Sequence, residues 1–288
     1  MDVEERLRQK KEAVERELER ILSQEDSLLF RAMRHAVFSG GKRYRPLLAF
    51  SSGECFGVSQ DVVLPFASAL ELIHNYSLVH DDLPSIDNDD YRRGQPSCHK
   101  AFGEDIALLT GDSLLTLAFE VMAQASVEEN LLPRKVKVLS EISHLAGVQG
   151  MIGGQLMDIT LTPEEVTEEV FHDLILKKTG GLITASVKTG ALLGGAGDSE
   201  LEAISLYGQN IGLAFQIRDD ILDTAQEAGK GDLSRPNYAS LFGLETAKRR
   251  LHNFIENAKG VLDKSSLESE ELHYLASRLL ELEDKDKK

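Results

Sequence analysis

Apolar residues recur at intervals of three and four positions along almost the whole chain, for example at Phe66, Leu70 and Ile73. That spacing places them on one face of an α-helix, whereas the alternating runs typical of β-strands are missing. Glycine and proline predict breaks at residues 39–41, 94–96, 153–154, 194–195 and 229–236. Because no linker or fixed-period repeat divides the sequence, we predict an all-α helical bundle that forms one domain over residues 1–288.

Charge and cysteine content narrow the range of partners. A net charge of −16 would repel the polyanionic backbone of nucleic acid. Cys55 and Cys98 fit no disulfide framework or metal-ligand spacing, which favours a reducing compartment. Residues 1–22 are too rich in charge for a secretory signal, and the most apolar stretch, residues 106–123, is interrupted by polar residues. We therefore expect a cytoplasmic protein without integral membrane contact, in which residues 106–123 form a buried helix.

Asp81, Asp82 and Asp87 form a first acidic cluster at the predicted end of a helix. Pro84 disfavours helical backbone at Leu83, so Asp81 and Asp82 should lie near the C-terminal end of that helix. Carboxylates there oppose the negative end of the helix dipole, and a bound cation would relieve this conflict. An ordinary solvated acidic loop would contain the same residues, because Asp and Asn favour turns.

A second acidic cluster is predicted on one face of a helix. Gly212, Gln216, Asp219 and Asp223 follow one another at steps of four, three and four residues, with Asp220 beside them. The remainder of this segment is mostly apolar, so the polar stripe stands alone on an apolar helix. A solvated stripe is the alternative, although an ordinary surface helix would be richer in Lys and Glu.

Six aspartates around one cavity would repel one another strongly unless a cation compensated for them. Oxygen ligands of this kind suit Mg²⁺, which commonly bridges carboxylates to the phosphate oxygens of a substrate. About three magnesium ions would balance the six carboxylates, which leaves the basic residues to neutralise bound diphosphates. The sequence therefore predicts a site that handles diphosphates.

The cations that accompany these clusters occur beside glycines, which permit close approach of the backbone. Arginine pairs with phosphate oxygens through two parallel hydrogen bonds and lysine supplies a mobile charge, although any one group would also suit a solvated face. His74 lies two helical turns before Asp81, where a ligand-binding and a buried structural histidine would show the same spacing. Neither the GxxxxGK[ST] nor the GxGxxG phosphate-binding pattern occurs. The basic groups are Lys42, Arg43 and Arg45; Arg92 and Arg93; and Lys177 and Lys178.

Four segments, in this order, resemble the motifs of the trans-prenyl diphosphate synthase family, and most closely those of its bacterial farnesyl diphosphate synthases. The resemblance extends from about Arg34 to Lys248. The segments are GGKRYRP at residues 40–46, HDDLPSIDNDDYRRG at 80–94, KTG at 178–180 and FQIRDDILD at 215–223.

This resemblance implies a helical bundle around a deep central cavity, usually as a homodimer, with the two acidic motifs facing each other across the cavity mouth. It implies an enzyme that condenses isopentenyl diphosphate with an allylic diphosphate, with about three Mg²⁺ ions per active site as cofactor. The implied metal ligands are Asp81, Asp82, Asp87, Asp219, Asp220 and Asp223. The implied contacts to the allylic substrate are Arg92, Lys178, Thr179, Gln216 and Lys230. The implied contacts to isopentenyl diphosphate are Lys42, Arg45, His74 and Arg93.

The same resemblance implies a reaction by ionisation. Pyrophosphate leaves the allylic substrate, the isopentenyl double bond attacks the resulting cation, and a proton is then lost to the pyrophosphate. The side chains implied in catalysis are Asp81, Asp82, Asp87, Arg92, Lys178, Asp219 and Asp220.

The length of the product is predicted from Tyr76 and Ser77, which precede the first acidic motif. Tyr76 lies five residues before Asp81, roughly 7.5 Å along the same helix, where the family places the cavity floor. A bulky ring there resembles farnesyl synthases, whereas smaller residues accompany longer products. Tyr76 as an ordinary packing residue is the alternative.

One segment departs from the family pattern. Residues 229–238 are shorter than usual, and Arg-Pro-Asn-Tyr at 235–238 replaces the usual turn that contains lysine, threonine, tyrosine and proline. Arg235 would supply the positive charge that this turn lacks, but Arg and Lys differ in reach and geometry.

Three enzymatic or regulatory functions fit a fold of this kind. They are a chain-elongating prenyltransferase that makes farnesyl or geranylgeranyl diphosphate, a terpene cyclase, and a noncatalytic subunit of another synthase. A cyclase would carry an Asn/Ser/Glu type of second metal motif, and a noncatalytic subunit would have lost aspartates or basic residues. Both acidic motifs are intact, which favours the elongating enzyme over these two and over a purely structural acidic helical protein.

Overall fold

The computed structural model describes residues 1–227, 237–265, 267 and 269–282. Within these residues the chain is almost entirely helical, which confirms the all-α prediction. The first seven helices are α1 (Val3–Leu22), α2 (Leu28–Val37), α3 (Tyr44–Cys55), α4 (Gln60–Asp81), α5 (Cys98–Phe102), α6 (Glu104–Gln124) and α7 (Leu132–Ala146). The others are α8 (Met151–Thr160), α9 (Glu168–Lys178), α10 (Gly180–Gly194), α11 (Asp198–Glu227), α12 (Tyr238–Phe242), α13 (Leu244–Lys264) and α14 (Glu270–Arg278). A small antiparallel hairpin of β1 (Tyr91–Arg92) and β2 (Gln95–Pro96) interrupts them.

Local side-chain caps explain where several helices begin. Asp2 accepts a hydrogen bond from the Glu5 backbone N–H at 2.8 Å and so caps α1. Thr167 caps α9 in the same way through the Val170 N–H. These caps satisfy backbone donors that have no partner within the helix. The starts of these two helices are therefore set by a polar residue just outside the helix.

The core of the bundle is built on α4 and α10. Almost every residue of α10 is buried, and this helix packs against α3, α7 and α11. Glycine permits the close crossing with α3, since a Cβ on Gly190 would lie 2.2 Å from the backbone nitrogen of Gly53. Helices α4 and α11, which carry the two acidic clusters, therefore flank a common densely packed centre.

The predicted break at residues 153–154 is wrong, because Gly153 and Gly154 lie inside α8. A Cβ on Gly154 would lie 2.2 Å from the backbone nitrogen of Lys178 at the end of α9. The glycine is therefore needed for close approach of two helices rather than for a turn. In contrast, α10 ends at the predicted glycine pair, with Gly195 at φ 80°.

Helix α3 begins at Tyr44, and Pro46 lies within its first turn. Proline is tolerated there because the backbone N–H groups of a first turn have no helical partner. Arg43 precedes this helix in the left-handed conformation, with φ 51°.

Helices α4 and α6 are long and apolar enough to cross a membrane by length and composition alone. In α4, 67% of the most apolar window is buried within the protein, as in a core helix. The expectation that residues 106–123 form a buried helix is only partly correct, because 33% of the corresponding window in α6 is buried. One face of α6 packs against α4, while Leu108 and Leu109 on the other face are about half exposed.

Candidate active site

The first acidic cluster lies where α4 ends and its chain folds back. Asp81 is the last residue of α4 and Asp82 is its C-cap, as the sequence predicted. The backbone N–H of Asp87 donates to the carbonyl of Asp81 at 2.8 Å, which returns the loop to the end of the helix. The loop then leads into the β1–β2 hairpin, which carries Arg92. Acidic and basic residues of the motif are thereby brought together.

The second acidic cluster lies on α11 and is held by local hydrogen bonds. Gln216 accepts a hydrogen bond from the Thr179 hydroxyl at 2.8 Å and donates its side-chain N–H to Asp220 at 2.9 Å. The other Asp220 oxygen accepts the backbone N–H of Tyr238 at 2.7 Å. Thr179 and Gln216, both predicted site residues, therefore connect the α9–α10 junction to the second cluster.

Both acidic clusters contribute side chains to one cleft of about 440 Å³, namely Asp87 from the first cluster and Asp220 and Asp223 from the second. The cleft also receives Lys178 from α9, which joins the third predicted motif to the other two. Its lining residues are Asp87, Asp89, Arg92, Asp158, Phe171, Leu174, Ile175, Lys178, Thr179, Gln216, Asp220, Asp223 and Asn237. The sequence-predicted clusters thus face a common cavity rather than separate surfaces.

The carboxyl groups of the cleft hold their protons unusually tightly. Burial raises the pKa of Asp81 to about 6, with Asp87 adding to the shift and Lys178 opposing it. Burial raises the pKa of Asp219 to about 7, with Arg218 at 3.3 Å opposing the shift and Asp223 adding to it. Burial also raises the pKa of Asp220 to about 6, with the hydrogen bonds from Tyr238 and Gln216 opposing the shift and Asp223 adding to it. Such shifts are typical of functional sites, where carboxyl groups are held close together and away from water.

Two basic residues are paired with carboxylates of the same cleft. The Arg92 guanidinium binds Asp82, with 3.0 Å from Nε to Oδ1, and lies 3.2 Å from Asp89. The Lys178 ammonium lies 2.6 Å from Asp158 on α8. Neither pair is exposed as fully as an ordinary surface salt bridge. The cleft therefore presents partly neutralised cations beside its carboxylates.

A second group of cations lies next to the first acidic cluster. Arg45 is 8% exposed and its Nε has no hydrogen-bond partner, while burial lowers its pKa to about 10. Burial and the positive charges of Arg45 and Arg93 keep the pKa of His74 well below its ordinary value, so this histidine is neutral. Lys42 is exposed at the start of the group, close enough to lower the pKa of Asp219. A buried guanidinium with an unused donor beside further cations is a site for an anion.

The family model described as Polyprenyl synthetase matches residues 26–267, which is most of the chain. This chain belongs to the polyprenyl synthetase family. The chain is 38% identical over 261 residues to the farnesyl diphosphate synthase of Escherichia coli strain K12, covering 86% of this chain and 87% of the relative. It is 40% identical over 265 residues to the geranylgeranyl diphosphate synthase of Cyanophora paradoxa, covering 88% and 87%.

Solved structures of polyprenyl synthetases show the same fold. An FPP/GFPP synthase from Zymomonas mobilis has a TM-score of 0.85 and 33% identity, covering 96% of this chain and 97% of the other. A geranyltransferase from Legionella pneumophila has a TM-score of 0.85 and 34% identity, covering 96% of each chain. The resemblance found in the four motifs therefore extends to the whole polyprenyl synthetase fold.

The sequence analysis missed three polar residues in or near the cleft, namely Asp158, Asn237 and Gln155. Asp158 and Asn237 line the cleft, and Asp158 binds Lys178. Gln155 lies one turn before Asp158 on α8, and both polar atoms of its side chain are buried without a partner. The sequence contained a signal for them on α8, because Gln155 and Asp158 are polar residues three positions apart in an otherwise apolar helix. The same pattern identified the polar stripe on α11.

Arg43 does not belong with the anion-binding cations, although the sequence grouped it with Lys42 and Arg45. It is 2% exposed and its guanidinium binds Glu15 and Glu71, each at 2.8 Å. Arg43 thus faces the protein interior. Its backbone is in the left-handed conformation, which points its side chain away from those of the residues on either side.

The residues predicted to set product length lie below the first cluster, in the hydrophobic core. Tyr76 is 5% exposed, and its ring meets that of His80 edge to face at 5.8 Å between centroids. Asp81 and, to a larger extent, burial raise the pKa of Tyr76 to about 12. The Ser77 hydroxyl donates to the His74 carbonyl at 2.9 Å. Lys230 and Arg235, the predicted contacts of the shortened segment, lie outside the described residues.

Proposed function

We propose that this protein is a trans-prenyltransferase that condenses isopentenyl diphosphate with dimethylallyl or geranyl diphosphate to form farnesyl diphosphate. The proposal rests on the presence of two neighbouring sites. One is the cleft to which both acidic clusters and Lys178 contribute, and the other is the group of cations at Arg45 and Arg93 around His74. Two diphosphates with different roles require two such sites. Relatives named as farnesyl and geranylgeranyl diphosphate synthases support the same reaction.

The carboxylates of the cleft suit magnesium by their chemistry. Their oxygens are the hard ligands that Mg²⁺ prefers, and burial together with neighbouring carboxylates raises the pKa values of Asp81, Asp219 and Asp220, a cost that a bound cation would relieve. Within residues 1–227, 237–265, 267 and 269–282, no three acidic, histidine or cysteine side chains already converge on one metal position. We propose that about three Mg²⁺ ions enter together with the diphosphate, held by Asp81, Asp82, Asp87, Asp219, Asp220 and Asp223.

Magnesium bound there would stabilise the negative charge that develops on departing pyrophosphate. Arg92 and Lys178 lie in the same cleft and would bind the diphosphate oxygens directly. The diphosphate of the isopentenyl substrate would be held by Arg45, Arg93 and Lys42. His74, which is neutral, would donate a hydrogen bond to it without adding a further positive charge to the site. The Thr179–Gln216 hydrogen bond fixes the polar wall of the cleft near the allylic group. Pyrophosphate leaving the allylic substrate is the proposed acceptor of the final proton.

Tyr76 and Ser77 are the proposed determinants of product length. The Tyr76 ring is buried in the core beneath the first acidic cluster and would obstruct a growing chain that extends past Asp81 along α4. The alternative product is geranylgeranyl diphosphate, as the name of the Cyanophora paradoxa relative suggests.

Chromatography of the products formed with labelled isopentenyl diphosphate tests the proposal. With Mg²⁺ and dimethylallyl or geranyl diphosphate, the purified protein should give mainly the fifteen-carbon product, and a chelator should stop turnover. Mainly twenty-carbon product would contradict the role of Tyr76 and favour the alternative. Turnover that resists the chelator would contradict the metal assignment, and no condensation at all would favour a noncatalytic subunit.

We also propose that two copies of the chain associate through the exposed apolar faces of α6, α7 and α8. Large apolar side chains on these three successive helices are unusually exposed: Leu108, Leu109, Leu132, Val136, Ile152, Leu156 and Ile159. Exposed large apolar side chains in such number are typical of protein surfaces that are covered by a partner. Sedimentation equilibrium should give twice the chain mass of 31.8 kDa. Replacement of Leu109 and Leu156 by glutamate should shift the protein towards the monomer, and a dimer of unchanged stability would contradict this interface.

A further inference from the structure

Glu71 is a buried carboxylate in the middle of α4, one helical turn before His74. It is 2% exposed. The Asn75 side chain donates to the Glu71 carbonyl at 2.8 Å and lies 3.4 Å from its carboxylate. A carboxylate removed from water in this way is strongly unfavourable unless cations compensate for it. The cation nearest to it is Arg43, and the cations of the proposed isopentenyl diphosphate site lie beyond Arg43.

Arg43 is the direct partner of Glu71. Its Nη1 donates to Glu71 at 2.8 Å, and its Nη2 donates to the carbonyl of Val37 at 2.8 Å. Glu15 binds the outer side of the same guanidinium, at 2.8 Å from its Nε. With partners on both sides, Arg43 has little freedom to move and is committed to the protein rather than to a ligand.

The carbonyl of Gly40 connects this pair to Arg93. It accepts a hydrogen bond from Arg93 Nη1 and lies 3.4 Å from Arg43 Nη1. A Cβ on Gly41 would lie 3.0 Å from Arg93 and 3.2 Å from Arg43, so the glycine turn fits between the two guanidinium groups. Gly40 and Gly41 have φ values of 109° and 138°, which favour glycine. The position of Arg93 therefore depends on a turn that Arg43 helps to fix.

Glu71 also supplies the negative charge that this group of cations needs. Burial lowers the pKa of Arg45 and of Arg93, and the charge of Glu71 is the largest opposing influence on both. Without it, Arg43, Arg45 and Arg93 would lie together around a neutral histidine and repel one another. The carboxylate thus holds cations close together before any anion arrives.

We propose that Glu71 is a positioning residue for the isopentenyl diphosphate site, which holds Arg43 and the Gly40–Gly41 turn in place and so fixes Arg45 and Arg93 for the diphosphate. The inference rests on the proposed function, since it concerns the second substrate of that reaction. Glu71 does not touch the substrate itself. Its effect is therefore expected on the binding of one substrate and not on the ionisation of the other.

Steady-state kinetics of Glu71→Gln test the proposal, because this change removes the charge and keeps the shape. We expect the KM for isopentenyl diphosphate to rise about 10-fold or more, with the KM for the allylic diphosphate and kcat changed by less than about 3-fold. Calorimetric titration with isopentenyl diphosphate in the absence of Mg²⁺ should show the same loss of affinity. Glu71→Asp, which keeps the charge, should restore part of the binding.

Glu271→Gln is the matched control, because Glu271 is also a buried carboxylate, 3% exposed, and is bound by Lys10, Arg6 and Ser51 between α14, α1 and α3. It should lower the melting temperature without raising the KM for isopentenyl diphosphate.

If Glu71→Gln does not fold, Arg43→Lys replaces it, since it keeps the charge but loses the paired hydrogen bonds. An unchanged KM in the folded variant, or an equal rise in the Glu271 control, would overturn the inference. Failure of the wild type to bind isopentenyl diphosphate would instead overturn the proposed function, and the inference with it.

Discussion

Replacement of Asp219 by asparagine should lower turnover by about 10²- to 10³-fold, as expected when a group that stabilises developing charge is lost, and should raise the melting temperature of the metal-free protein. Both effects have one cause. Partial burial and the charges of Asp223 and Asp220 disfavour the ionised form of Asp219 more than Arg218, at 3.3 Å, favours it, so this carboxylate destabilises the protein until a cation and diphosphate compensate for it. Asp81→Asn should behave in the same way, because burial and Asp87 raise the pKa of Asp81.

The stability of the protein should also depend on pH through Asp219. A simple packing defect at this position would not produce that dependence. Burial raises the pKa of Asp219 from 3.8 to about 7, so the folded protein binds this proton more tightly than the unfolded chain does. Its contribution to the free energy of unfolding therefore decreases as the pH rises from about 4 to about 7. Asp219→Asn should remove that contribution and flatten the melting temperature across this range, as measured by circular dichroism in the presence of a chelator.

Asp263→Asn is the control for both measurements, because Asp263 is largely exposed and binds His273 at 3.0 Å on the surface. It should leave turnover unchanged and should not flatten the pH profile between pH 4 and 7. Turnover of Asp219→Asn within 10-fold of the wild type would contradict its place in the reaction. A lower melting temperature in metal-free buffer would contradict the electrostatic account.

Replacement of Arg45 by glutamine should lower kcat/KM for isopentenyl diphosphate by about 10²- to 10³-fold, because the loss of a buried charge from an ionic pair commonly costs 2–5 kcal/mol or more. The Nε of Arg45 is buried and unpartnered, so the guanidinium has an unused donor for an anion. The KM for the allylic diphosphate should change little, since Arg92 and Lys178, and not Arg45, are the basic residues that line the cleft proposed for that substrate. Initial rates with each substrate varied in turn separate the two values.

Arg134→Gln provides the comparison for Arg45. Its guanidinium donates to the carbonyl of Leu193 at 2.9 Å, within the protein and away from both proposed substrate sites. We expect a loss of stability without a selective change in either KM. Equal effects of the Arg45 change on both substrates would argue against a separate site for isopentenyl diphosphate.

The fold and the two acidic clusters could be predicted because the relevant signals are local. Steps of three and four residues on α11 place Gln216, Asp219 and Asp223 on one face wherever that helix lies. Pro84 similarly predicts the end of α4 at Asp81 and Asp82. That the two clusters share one cleft followed from charge compensation and from the family resemblance, not from the spacing of either cluster.

The residues that the sequence analysis missed or misassigned depend on contacts between distant segments. Asp158 meets Lys178 only because Gly154 allows α8 to approach the end of α9. Arg43 differs from Arg45 only because Glu15 and Glu71, from two other helices, surround its guanidinium. Nothing in the local pattern distinguishes a glycine that ends a helix from one that permits close packing, or a cation that binds a ligand from one that binds a buried carboxylate.

The ion pairs Arg92–Asp82 and Lys178–Asp158 bear on which solutes the resting cleft admits. A bare anion such as sulfate or inorganic phosphate would have to separate these cations from their carboxylates and leave acidic groups behind with nothing to balance them. A diphosphate that arrives with divalent ions would instead pair its oxygens with the cations of the cleft while its metal ions pair with the carboxylates. We therefore expect the resting cleft to admit a metal-bound diphosphate more readily than a bare anion.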